Sequence, residues 1–142
     1  MESMTSPERH LPKELLDRAS LRGKEYAWRV DDIPEVIEAA RRAGLVSIGG
    51  QLQFRLPDGG ICECYWVEVD TYRSVSKDLP WTERVARTAE VASADFTRLA
   101  SEYDFLEEGR RAFRMGQVEH GNENPAELMW FVWYVLDAEE EA

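Results

Sequence analysis

The chain is poor in the residues on which most enzyme and metal chemistry draws. Its 142 residues include two cysteines, Cys62 and Cys64, and two histidines, His10 and His120. Cysteines two apart on an extended strand point to one face, so a structural disulfide framework is excluded. Cys62-Glu63-Cys64 lacks the Cys-x-x-Cys spacing of a redox pair and the four ligands of a zinc site, so neither metal nor cofactor is expected. No Gly-x-Ser-x-Gly elbow occurs, and Gly49-Gly50 and Gly59-Gly60 neither open helices nor fit a phosphate-binding fingerprint. Acyl-hydrolase and nucleotide chemistry therefore have no support, and no catalytic residue is assigned. No run approaches the ~18 apolar residues of a membrane span, and residues 1–10 have neither a positive start nor an apolar stretch. A cytoplasmic location is the expectation.

Basic residues are also in short supply. There are 17 Lys and Arg against 28 Asp and Glu, a formal charge of −11. Such a charge repels phosphate backbones and anionic lipid surfaces, so neither nucleic acid nor membrane is an expected partner. Asp137, Glu139, Glu140 and Glu141 lie in the last six residues, and setting them aside still leaves a net charge of about −7.

What is present is a core. With 44% hydrophobic and 11% aromatic residues, including five Trp, the chain is too apolar to stay disordered, and its length suits one domain. Residues 1–10 read as a flexible arm, 11–137 as a single α+β domain and 138–142 as an acidic tail. A short helix is expected over 12–20 and a strand over 25–30. The next helix, over 32–43, has Asp32 and Glu35 at the spacing of a capping box, Pro34 in its first turn and Gly44 at its end. Residues 45–48 and 51–56 read as strands, or as one strand bent at Gly49-Gly50. Pro57-Asp58-Gly59-Gly60 places Asp-Gly at the centre of a type I′ turn, making 51–70 a hairpin. Trp81, Val85, Ala89, Ala92, Phe96, Leu99 and Tyr103 form one face of a long helix over 80–103, with Arg84, Arg87, Asp95, Arg98 and Glu102 opposite. A short helix capped by Asp104 follows, with Gly109 weakening its middle, and then a loop over 115–123. Residues 128–136 combine a capped-helix start at Asn124 with an aromatic, β-branched run, and the run favours a buried strand. The expected fold is an antiparallel sheet of four to five strands, with central hairpin 51–70, packed on one face by the helices near 32–43 and 80–103.

A turn centred on Asp58-Gly59 pairs Leu56 with Ile61, Phe54 with Glu63 and Leu52 with Tyr65. One hairpin face then holds Leu52, Phe54, Leu56, Ile61, Tyr65, Val67 and Val69, with Glu63 as its misfit. Desolvation there would raise the Glu63 pKa toward acid–base use, unless a sheet edge or a helix arginine relieves it. The other face collects Gln51, Gln53, Arg55, Cys62, Cys64, Trp66 and Glu68. Trp and Arg are favoured interface anchors, so Gln51, Gln53, Arg55, Trp66 and Glu68 form the candidate binding surface. Solvation of this face, or a second layer over it, is the plainer alternative. His120 is the one neutral-pH proton carrier outside the arm, but no partner orients it in the sequence.

Two functions fit. One is a non-catalytic, acidic protein-binding module, an immunity- or antitoxin-type inhibitor of a basic partner. The other is a small-molecule-binding protein or small enzyme with a pocket between sheet and helix lined by Trp28, Trp66, Trp130 and Trp133. Homo-oligomerisation through a strand edge or through 128–136 is compatible with both.

Overall fold

The structure is a computed structural model that describes residues 6–113 and 124–141. Five antiparallel strands form one open sheet in the order β1-β2-β5-β3-β4: Ser20–Arg22, Glu25–Trp28, Met129–Leu136, Val46–Arg55 and Ile61–Asp70. Helices α1 (Lys13–Arg18), α2 (Ile33–Arg42), α3 (Trp81–Glu102) and α4 (Phe105–Phe113) complete the α+β architecture. The aromatic run becomes the central strand β5, between β2 and β3. Both signals in that segment are realised, because Asn124 accepts from the Ala126 amide (3.0 Å) and caps the single turn Pro125–Leu128 before the strand begins.

The helix face of the sheet presents Trp28, Phe131, Trp133, Leu52 and Phe54, all fully buried. Ile33, Val36, Ile37 and Ala40 of α2 and Ala89, Ala92, Phe96 and Leu99 of α3 complete the core. Polar ends of the core rings are satisfied: the Trp28 indole donates to the Leu15 carbonyl (2.8 Å) and the Trp133 indole to Ser47 Oγ (3.4 Å). Gly44, at φ 75°, ends α2 as expected, and the Leu45 amide reaches back to the Ala40 carbonyl (2.9 Å).

Three local expectations are corrected. Asp32 does not cap α2; a 3-10 turn over Val30–Asp32 runs into the helix, so Asp32 is itself helical. Arg18 takes Asp32 (2.9 Å) and Glu35 (2.7 Å) instead. Arg84 lies inside rather than on the solvent side of α3, with its guanidinium between the rings of Trp81 (5.7 Å) and Tyr72 (6.0 Å). The hairpin turn is a three-residue loop, not type I′. Leu56 N–H donates to the Gly60 carbonyl (2.8 Å), Gly59 N–H to the Leu56 carbonyl (3.1 Å), and Gly59 alone has positive φ (97°). Pro57, with φ held near −65°, suits the first central position of a type I turn, which Gly59 closes as a bulge.

That turn slips the register by one residue. Arg55 faces Ile61, Phe54 faces Cys62, Gln53 faces Glu63 and Leu52 faces Cys64. A one-residue slip exchanges faces, so Cys62 and Cys64 turn to the helix side and Ile61 and Glu63 away from it. The next pair is Gln51 with Glu68, leaving Tyr65, Trp66 and Val67 without partners on β3. The excursion returns Val67 and Val69 to the core.

The sheet is coiled strongly enough that its two ends meet. Arg22 on β1 donates to the Leu56 (2.9 Å) and Gly60 (3.2 Å) carbonyls at the tip of the β3–β4 hairpin. Of the arm read over 1–10, the described part, Ser6–His10, contains a 3-10 turn over Pro7–His10, and Arg9 reaches Asp137 (3.5 Å) at the end of β5. In the tail, Ala138–Glu141 forms one helical turn.

Candidate functional site

The face away from the helices carries Gln51, Gln53, Arg55 and Glu68, as expected, and the closing sheet ends bury its centre. Gln53 is 0% and Arg55 2% exposed. Arg55 Nε donates to Gln53 Oε1 (2.7 Å), Nη1 to the Ser20 carbonyl (2.7 Å) and Oγ (2.9 Å), and Nη2 to the Glu25 carbonyl (3.2 Å). All four acceptors are neutral. Burial, and secondarily Arg22, draws the Arg55 pKa below its ordinary value. Gln53 Nε2 passes the chain on to Glu63 Oε1 (3.2 Å). Beside it, the Tyr134 hydroxyl donates to Glu25 (2.5 Å), and burial first, then this bond, pushes the phenol pKa up. A phenol held protonated is no base, and the guanidinium is committed to the backbone of β1 and β2. Gln53 and Arg55 thus tie the sheet together and are not presented to a ligand.

Trp66 parts from this group. Its indole donates to Glu108 of α4 (2.8 Å), and its ring lies 6.3 Å from Phe113 and 5.3 Å edge-on from Tyr65. Glu68 is engaged by Arg73 (2.6 Å). Glu63, the misfit of the expected apolar face, is exposed at the β4 edge, the sheet-edge alternative that the sequence favoured. Cys64 is fully buried, and burial, Glu108 and Cys62 push its thiol up to about 12, far from a reactive thiolate. His10 is exposed, 3.8 Å from Asp137, and His120 lies outside the described residues. Among the described residues no group of three or more His, Cys, Asp or Glu is placed to hold a metal ion, and no helix is long and apolar enough to cross a membrane.

The four tryptophans do not converge. Trp28 and Trp133 are core residues, whereas Trp130 projects from the other sheet face beneath the Arg29 guanidinium (3.9 Å). Two clefts flank α2, of about 420 and 790 Å³, and neither is lined by tryptophan. The larger runs between α2 and α3 over Ala86, Ala89, Ser93, Ala94 and Thr97.

Sequence reasoning missed a different set of side chains. Of five large apolar side chains left exposed among the described residues, Ile61 (41%), Tyr65 (69%), Trp66 (37%) and Tyr72 (46%) belong to β4 or the turn after it. Strand β4 is the last in the sheet. The signal was the break in alternation at Tyr65-Trp66-Val67, where three apolar residues in succession mark the excursion. No lysine or arginine occurs between Leu56 and Tyr72, whereas Asp58, Glu63, Glu68 and Asp70 do. Comparison of the chain with protein-family models, with curated proteins and with solved structures gives no match.

Proposed function

We propose that this chain is a non-catalytic, acidic protein-binding module that engages a basic partner through its β4 edge. The observation that carries this reading is that four of the five large apolar side chains exposed among the described residues lie on terminal strand β4 or in the turn after it, beside the acids Asp58 and Glu63, while Arg73 pairs Glu68 and Asp70. Exposed apolar clusters rimmed by polar groups mark interaction sites, and Tyr and Trp are the usual anchors. Complementary charge speeds association with a basic surface. A small acidic inhibitor of the immunity or antitoxin type, capping a basic active site, is the class these features fit. The two free cysteines suit a reducing compartment, consistent with action in the cytoplasm.

The test places a photo-crosslinking side chain at Tyr65 and, as a control, at exposed Thr97 on α3, in cells of the source organism. One basic adduct specific to position 65 is expected, and it disappears at about 1 M salt, where charges are screened within ~3 Å. Tyr65→Ala should weaken the isolated complex by about 2 kcal/mol, roughly thirtyfold. Identical adducts from both positions, or an acidic partner indifferent to salt, would refute the reading.

A further inference from the structure

We infer that the partner binds this edge by strand addition, an extended segment with Lys or Arg at alternate positions pairing antiparallel with Ile61–Glu63. The inference rests on the reading above and specifies its mode.

The ladder shows which backbone groups are free. Leu56 N–H bonds the Gly60 carbonyl, so Leu56 and Gly60 are a hydrogen-bonded pair. Such pairs alternate with non-bonded ones along an antiparallel ladder. With Arg55 opposite Ile61 and Gln53 opposite Glu63, Cys62 and Cys64 turn their amides toward β3, while Ile61 and Glu63 turn theirs outward. Among the described residues no strand lies beyond β4, and α4 meets it from the helix side, through Trp66.

Natural edges are blunted by charged side chains, above all Lys, by Pro or by bulges. Residues 61–64 contain no Lys, Pro or bulge, their one charge is Glu63, and the excursion at Tyr65–Val67 interrupts the ladder only beyond them. The free edge is therefore short, and exposed Tyr65 stands at its end. Charge selects the occupant. A second copy of this chain would bring two bodies of net −11 together, and its own segment 61–63 has no base to offer Glu63. A residue opposite Glu63 in a bonded pair lies on the same face as Glu63 and turns its own amide toward β4. A basic residue there pairs with Glu63 and supplies the backbone bonds, which is the arrangement of β-augmentation.

The probe is a labelled nine-residue peptide of alternating Thr and Lys, titrated into the full chain. Saturable binding below about 1 mM is expected. N-methylation of the Lys amides should weaken it at least about tenfold, and N-methylation of the Thr amides should leave it nearly unchanged. Glu63→Pro removes an outward amide from an edge strand without breaking the β3 ladder. It should bind at least about tenfold more weakly than Glu63→Ala, with unchanged circular dichroism. Equal affinity for the two methylated peptides, no saturable binding, or self-association through β4 by light scattering would overturn strand addition. Binding that depends on Tyr65 but ignores methylation would sink strand addition alone. Binding that ignores both would sink the partner reading with it.

Discussion

Replacing Arg55 with methionine should destabilise the fold by roughly 2–4 kcal/mol. The substitution keeps much of the side-chain volume and removes the donors that hold Gln53, the Ser20 carbonyl and hydroxyl, and the Glu25 carbonyl. A buried acceptor stripped of its donor costs about 1–3 kcal/mol, so two or three acceptors left dry at about 1.5 kcal/mol each give a gross loss of about 3–5 kcal/mol. Part of that returns, because burying a guanidinium is itself costly, as its depressed pKa shows. The net figure corresponds to a fall in Tm of roughly 10 °C for a chain of this size. Urea unfolding should show a lower midpoint at unchanged slope.

Hydrogen exchange locates the damage. Amides of β1 and β2 should lose protection while those of α3 keep it, since Arg55 closes the sheet ends and does not touch the helices. Arg55→Lys retains a charge but not the forked geometry, and should fall between wild type and Arg55→Met. A loss below about 1 kcal/mol, or uniform deprotection of the whole fold, would refute the assignment of Arg55 as the clasp.

Gly109→Ala should destabilise the chain by about 1–2 kcal/mol although alanine favours helix by ~1 kcal/mol, because the added methyl collides with the Phe54 ring. Chemical denaturation decides, Phe54→Leu should restore the loss, and a stabilised Gly109→Ala would sink the packing argument. Alkaline stability supplies another test. The Cys64 pKa is raised from 9.0 to about 12, so the native state holds the proton more tightly than the unfolded one. Its contribution is fully present below pH 9 and is lost as pH rises toward 12, and Cys64→Ala should flatten that decline in thermal melts. Tyr134 adds to the same slope, since its pKa is also raised. At pH 8 a thiol reagent should leave Cys64 unmodified until urea is added, and rapid native labelling would contradict its burial.

The helices and the central strand were legible because long periodic segments state their partners. The stripe from Trp81 to Leu99 needed one apolar surface, and the doubly apolar run at 128–136 could be buried only between other strands. The hairpin faces were not, because one turn decided them. Pro57 and Gly59 together choose a three-residue loop over type I′, and a slip of one residue carried Glu63 out and Cys62 and Cys64 in. Arg84 was misplaced for a different reason. Period alone puts it on the solvent side of α3, but Tyr72, in the turn after β4, comes alongside and with Trp81 gives the cation a covered position. Gly109, which looked like a weak point in a helix, is explained by a ring more than fifty residues away in sequence, at Phe54.

The clasp and the edge are mechanically one object. Arg55 is anchored to β1 and β2, Gln53 is held by Arg55, and Gln53 in turn holds Glu63, the acidic side chain of the free segment. A polar network with so many fixed bonds is rigid, and a rigid edge spends little conformational entropy on binding. On the proposed reading, the four residues from Ile61 to Cys64 would gain affinity from a feature that never touches the partner. Arg55→Met should for that reason weaken partner binding at temperatures where the fold is still intact, with the loss in association larger than deletion of the exposed Ile61 side chain alone would give.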